Sequence, residues 1–393
     1  MFSPDGETVA FARQLANNVH DIYLLPIHIG EDGKAAIKPA RRLTFDNREI
    51  YGHAWSADGR SLIVASRRGD GMYFALWKVA ISGGEPVRLT SGDVDAIQPA
   101  ISHKQNRLAF VNRFTDMNIW RAAVDGKSPA KPLIASTLYD TEPQYSPDGK
   151  RIAFRSDRSG NDAIWVADSE GRGAYRVADL NGSPVSAPRW SPDGRLIAFD
   201  ARSDGQSLIY VAAADARTSP RRMAAPPQSN NLLPSWSHDG AFLYFGSNRS
   251  GKWELWKQPV VGDQAEQLTK QGGYAAFEMA DGKGVYYSKG PAVQGIWKLP
   301  GEQLVLESRT AQKWGWMPGL HGIYFIESGP DEEQPAEIRY FEPGSKVSRL
   351  IGRTSAKPAQ GGAALSISPD ERWIAYAQVD RAGSDIILVK DFR

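Results

Sequence analysis

Five arginines recur at one place in a repeating pattern: Arg68, Arg113, Arg158, Arg202 and Arg249, at spacings of 45, 45, 44 and 47 residues. Each follows one short apolar stretch and precedes a second, so all five belong to the same kind of loop. The segments leading into the first of those stretches carry Tyr51, His53, Asp95, Gln98, Asp140, Glu142 and Asn231. A guanidinium is a planar fork of donors that fits a carboxylate. One expectation is therefore a binding site in which the arginines, with Tyr51, His53, Asp95, Asp140 and Glu142, surround a carboxylate-bearing peptide or glycan. The competing expectation is structural, each arginine pairing with an aspartate or carbonyl of a neighbouring repeat.

Other chemistry finds less support in the residues. A serine hydrolase of the elbow type needs Gly-x-Ser-x-Gly, and the pentapeptide does not occur; Ser82-Gly83, Ser159-Gly160 and Ser250-Gly251 fall in expected loops. His20, His28, His53, His103, His238 and His321 are scattered, with no His-Glu-x-x-His among them. The stretch Asp157 to Asp162, DRSGND, alternates oxygen ligands as a calcium loop does but lacks the downstream glutamate. Neither a P-loop nor a Gly-x-Gly-x-x-Gly unit between strand and helix is present, and the chain has no cysteine. The expectation is a chain that is not an enzyme and needs no metal or cofactor.

The composition sets the class. Of 393 residues, 41% are hydrophobic and 23% charged, so a packed core is possible and a disordered chain is excluded. Forty-seven lysines and arginines against 45 acids leave a net charge of +2, too weak a field to select nucleic acid as the partner. No apolar run approaches the length of a membrane span. The first residues lack the basic and apolar regions of a signal peptide, so any export signal is expected to lie outside this sequence.

These side chains are positioned by a repeat. The turn SPDG at Ser3 recurs as SADG at Ser56, SPDG at Ser146 and Ser191, SHDG at Ser237 and SPDE at Ser368. Weaker copies start at Ser102 and Met279, and a ninth lies within WMPGLHGIYF. The period is near 45 residues. After each turn comes an alternating strand such as RIAFRS or FLYFGS, then a loop, then a strand with one aromatic at fixed register: Tyr23, Trp77, Trp120, Trp165, Tyr210, Trp256, Trp297. A third strand often ends in Leu-Thr (RRLT, VRLT, EQLT), and a Pro-containing approach such as TEPQYSPDG supplies the fourth. Four short strands per period with Gly/Pro turns predict the blade of an all-β propeller. The turn aspartate is expected to close its own turn, and the aromatics to pack between blades.

An aromatic residue followed by SPDG, an IAF strand, a loop and an IWV strand resembles the WD-like propeller repeats of TolB, of the tricorn protease and of the gating domain of prolyl oligopeptidases. The likeness covers essentially the whole chain. The last stretch, SISPDERWIAYAQVDRAGSDIILVKDFR, is similar to the end of bacterial winged-helix regulators that carry TolB-like repeats. The resemblance implies a propeller of four-stranded blades acting as a non-catalytic binding or sensing module. Its expected partner is a protein or peptide on the loop face, and its expected compartment the periplasm, with the cytoplasm as the alternative. Two further functions fit the resemblance: a propeller gating a peptidase domain, and the sensor half of a regulator.

Nine turns over-fill a ring. If Ala40 to Phe45 (ARRLTF) closes the last blade, residues 40–393 make an eight-bladed propeller and residues 1–39 are a surplus hairpin. That arrangement is the expectation; the alternatives are nine copies shared between two rings, or a nine-bladed ring.

Overall fold

The computed structural model describes all residues except 17–18, 30–34, 46–47, 69–72, 91–94, 103, 182, 204–205, 291–294, 308–314, 330–333, 360–364 and 393. His103, one of the scattered histidines, lies outside the described residues. The described chain is built of β-strands arranged in eight sheets, with no helix among them. It divides into two compact units, one of Met1–Phe114 with Ala382–Arg393, the other of Thr115–Arg381. The residue 39/40 boundary of the sequence reading lies inside the first unit.

In the first unit, Thr8–Ala16, Val19–Ile29 and Ala35–Ile37 form a sheet whose middle strand also pairs with Arg41–Arg42. Leu24 opposes Arg41 and Tyr23 opposes Arg42. The ARRLTF segment is therefore not the closing strand of the last blade. It completes the sheet of the hairpin just before it, because a two-residue strand is held by a side-chain clamp to its chain neighbour. Thr44 Oγ1 accepts the Ile22 N–H at 2.9 Å and donates to Asp21 at 2.8 Å, while Arg42 reaches the same carboxylate. Thr269 repeats the clamp on Leu255 and Glu254, which explains the recurring Leu-Thr. A second sheet, Ile50–Trp55, Ser61–Ser66, Ala75–Ala80 and Val87–Arg88, follows the blade order, and Asp95–Ser102 pairs with the first part of Arg107–Ala123.

The second unit is a ring of six blades. Five are consecutive in sequence, with inner strands Asp140–Tyr145, Val185–Trp190, Asn231–Trp236, Ala276–Glu278 and Trp316–Pro318, each followed outward by its next three strands in order. The sixth takes Leu365–Ile367 and the start of Trp373–Val389 from the end of the chain. Its two outer strands, the last part of Arg107–Ala123 and Lys131–Ile134, come from before the first blade.

Ring closure is visible in the core. Ile164 and Val177 of the first blade pack on Trp190 and Phe199 of the second; Ile209 and Met223 pack on Trp236 and Phe245 of the third. Leu255 meets Ala276 and Tyr287, Ile296 meets Trp316 and Phe325, and Ile338 meets Leu365 and Tyr376. Ile119, Ile134 and Ala375 of the sixth blade return to Tyr145, Ile152 and Phe154 of the first. Each fully buried aliphatic or aromatic side chain contributes about 1.5–3 kcal/mol. Seven of the eight sheets have four strands and one has five, and six of the eight account for this closed ring.

The turns interlock as well. In each SPDG copy the serine Oγ donates to the aspartate Oδ1, and that oxygen also accepts the N–H two residues on, as in Ser146, Asp148 and Lys150. The aspartate does close its own turn. Within the ring, the proline of one turn abuts the glycine of the next blade's: Pro147 against Gly194, Pro192 against Gly240, and Pro369 against Gly149. These contacts link the sixth blade to the first and join the first three to one another.

Candidate functional site

The sequence-selected residues divide between the two units. Tyr51, His53, Asp95, Arg68 and Arg113 belong to the first unit, and Asp140, Glu142, Arg158, Arg202 and Arg249 to the second. Within each unit most of them are engaged. Arg113 Nε donates to Asp95 at 2.8 Å, Arg158 Nη2 to Asp140 at 2.7 Å, and Arg249 Nη2 to Asn231 at 2.9 Å. Each partner stands 18 residues back, at the start of the inner strand of the same blade, rather than in a neighbouring blade. Arg68 faces Glu85 at 3.6 Å.

The same guanidiniums lie over the once-per-copy aromatics: Arg68 over Trp77, Arg158 over Trp165 and Arg249 over Trp256. Two sequence signals are thus one motif, a cation held between an aromatic face and an acid or amide. Arg202 departs from it. Its N–H bonds Pro184 O, as the N–H of Asp157 bonds Tyr139 O and that of Asn248 bonds Asn230 O, so Arg202 sits one residue earlier than Arg158 and Arg249. It is exposed.

His53 Nε2 donates to Ala10 O at 3.0 Å, and burial holds its pKa below the usual value. Tyr51 is exposed, edge-on to Phe74 and beneath Arg113. Of the DRSGND stretch, Asp157 accepts the Tyr139 N–H, and Asp162 is shared between Arg155 and the Val185 N–H. Both acids serve their blades. Among the described residues no group of three or more His, Cys, Asp and Glu is placed to hold a metal ion.

What the second unit does bring together lies at the other end of the inner strands, beside the SPDG turns. There all six blades converge on a cavity of about 370 Å³. Gln144, Arg189, Trp190, Ser235, Trp236, Phe277, Met317 and Ile367 form its walls. Pro147, Pro192, His238, Glu278, Leu320, Pro369 and Glu371 form its rim. Trp190 donates its indole N–H to Gln144 O at 3.1 Å and Trp236 to Arg189 O at 2.9 Å, so each ring is fixed by the preceding blade. Glu278 accepts from the His238 N–H and the Tyr244 hydroxyl, and Glu371 from the Leu320 N–H and the Tyr324 hydroxyl.

The backbone beneath the cavity is irregular for a reason. Glu142, Ala187 and Leu233 take φ of +56°, +52° and +54°, each just before a proline and at a register shift of its inner strand. Such residues are strained, and the compensation is a hydrogen bond across the blade boundary. Glu142 accepts the Ala187 N–H, and Asp200 the Leu233 N–H at 3.0 Å.

Burial dominates the electrostatics here. It pushes Glu142 up to about 7 against the pull of Arg155, and raises Asp200 as well. It pushes Arg189 down to about 10 although Glu142 and Asp200 draw it up. Arg189 is 6% exposed. Its side chain makes a single hydrogen bond among the described residues, Nη1 to Pro188 O at 3.1 Å, and lies over the Phe277 ring. Sequence reading passed over Arg189, Trp236, Phe277 and Met317. The one available signal was a charged residue in the otherwise apolar strand VSAPRW.

A closed ring of four-stranded antiparallel blades with its cavity on the axis is a β-propeller. The chain belongs to the TolB beta propeller domain family, which matches residues 1–183 and 163–299. An uncharacterized protein of Agrobacterium fabrum is 32% identical over 155 residues, 39% of this chain and 49% of that protein. The chain thus spans about half the length of that curated relative. Among solved structures, TolB from Acinetobacter baumannii aligns at 14% identity and a TM-score of 0.46, covering 89% of this chain and 80% of that one. A puromycin-hydrolyzing peptidase of Mycobacterium tuberculosis aligns at 17% identity and a TM-score of 0.43, covering 77% of this chain and 53% of that one.

Proposed function

We propose that the chain is a non-catalytic binding module that takes a protein or peptide partner, with the axial cavity of the second unit as the seat. The observation that carries this reading is the convergence of all six blades on one aromatic-walled cavity whose rim reaches the surface at Leu320, 59% exposed. A rigid ring holding such walls through cross-blade hydrogen bonds offers a preformed site, and preformed sites bind without an ordering cost. The opposite end of the blades of the second unit is the second position, favoured by the exposed Arg202. The periplasm is the compartment proposed, from the family likeness, and cell fractionation tests it.

Photo-crosslinking residues at Leu320 and, separately, at Arg202 distinguish the two positions. The expected result is a discrete partner captured from Leu320 and none from Arg202. Capture from Arg202 alone moves the seat to the loop end. Turnover of a peptide or glycoside panel by the pure chain overturns the non-catalytic reading.

A further inference from the structure

We propose that the axial cavity of the second unit binds the C-terminal carboxylate of a peptide ending in an apolar residue, with Arg189 as its counter-ion. This rests on the binding reading above and names the chemistry of what is bound.

A cation buried to 6% exposure is costly unless something compensates it. Two other buried or half-buried arginines of the second unit each have a carboxylate: Arg155 has Asp162 at 2.8 Å and Arg121 has Glu170 at 2.8 Å. Arg189 has one backbone carbonyl and the face of Phe277, and no carboxylate within ion-pair distance among the described residues. Its guanidinium therefore keeps donors for a bidentate acceptor. Ser235 Oγ, also in the wall, is buried and makes no hydrogen bond. The indole N–H groups of Trp190 and Trp236 are already used, so those rings present only apolar faces. The two wall side chains with hydrogen-bonding capacity left over, Arg189 and Ser235, can both donate, which selects an anion; the aromatic and aliphatic faces around them select an apolar body.

The charge state favours a single negative charge. Glu142 and Asp200 act on Arg189 through space, and Glu278 and Glu371 stand on the rim. A phosphate dianion would face those four acids with one cation to hold it, whereas a carboxylate neutralises Arg189 alone. A cavity of about 370 Å³ is at the small end of ligand sites and suits the last residues of a chain. The rim at Leu320 leaves the preceding residues a path to solvent.

The test titrates the full chain with a pool of N-acetylated tripeptides ending in Leu, Ile or Phe as free acids, and with the same pool amidated, by calorimetry. The free acids are expected to bind at least about tenfold more tightly than the amides, the worth of a charge-assisted bidentate contact. Arg189→Gln should bring that ratio close to one while the melting temperature of the unliganded protein stays the same or rises, because a cation without a partner has been removed. Arg189→Lys, which keeps the charge and loses the fork, should show an intermediate ratio. Equal affinity for acids and amides, no binding by either pool, or discrimination that survives Arg189→Gln overturns the proposal. Phenylacetate or inorganic phosphate binding as tightly as the peptide acids also overturns it, in favour of a small-anion site. If Leu320 crosslinking captures its partner equally well in the Arg189→Gln protein, the binding reading stands and the carboxylate assignment alone falls.

Discussion

Arg121 and Glu170 form a two-pronged ion pair, Nη1 to Oε1 at 2.8 Å and Nη2 to Oε2 at 2.9 Å, where the sixth blade of the ring meets the first. Arg121 is buried and lies over the Trp373 ring, whereas the Glu170 side chain is half exposed. Removing the exposed partner should therefore do the greater electrostatic damage. Glu170→Ala leaves a buried guanidinium uncompensated, and we expect a loss of about 2–3 kcal/mol by urea unfolding. Arg121→Met should cost less, because the remaining carboxylate is hydrated. The reverse order would mean that packing on Trp373, not the ion pair, secures the seam.

The arginines of the loop end separate by partner. Arg158→Ala strands Asp140, which is fully buried, and should cost about 3 kcal/mol. Arg202→Ala, at an exposed position one residue out of register, should lie within about 0.5 kcal/mol of the parent. Thermal unfolding of the two variants decides it. A neutral Arg158→Ala with lost ligand binding would restore the loop-end site.

Glu371 occupies the place where other copies of the turn have glycine, at φ +51°. Its carboxylate bonds the Leu320 N–H and the Tyr324 hydroxyl of the fifth blade, and Gly319 leaves room for it, since a Cβ there would lie 2.2 Å from Oε1. Glu371→Gly loses those bonds but relieves the backbone; Glu371→Ala loses them and keeps the strain. Melting temperatures should fall in the order parent, Gly, Ala, with about 1 kcal/mol between the last two.

The carboxyl of Glu142 titrates at about 7 in the fold and near 4.5 in the unfolded chain. Between those values the native state holds the extra proton, so this group makes stability fall as pH rises from about 4.5 to 7, by an amount on the order of 3 kcal/mol. Asp200, raised by burial, acts in the same direction. Glu142→Gln keeps an acceptor for the Ala187 N–H and should flatten the slope of unfolding free energy across that window. An unchanged slope would place the titration elsewhere.

The turn aspartates act oppositely. Their own serines hold them below the usual carboxylate range, Asp370 at about 2, so their contribution is present above the unfolded value of 3.8 and lost as pH falls towards 2. Asp370→Asn should lower stability above about pH 5, where that contribution is present, and flatten its loss between 3.8 and 2, leaving the slope above pH 5 unchanged.

Much of this was legible because it is local. Ser-Pro-Asp-Gly closes its turn with bonds spanning five residues, and Leu-Thr clamps a strand to its neighbour, so both leave a mark at every period. The arginine and aromatic of each copy were visible too, though not that one lies over the other. The register of Arg202 was misread because a spacing of 44 against 45 looks like noise until backbone hydrogen bonds fix it.

The sequence alone determined the blade: its four strands, its turns and the residues at their corners, since these depend on neighbours within one period. Tertiary structure decided which blades form a ring and where the cavity lies. Arg107–Ala123 and Trp373–Val389 are each one strand of 17 residues, where the sequence reads as two short ones, and their pairing joins the two ends of the ring. Arg189, Trp236, Phe277, Met317 and Ile367 come from five blades and share no local signal. They become neighbours only when the ring closes, because a site on the axis is made of one or two residues from each repeat.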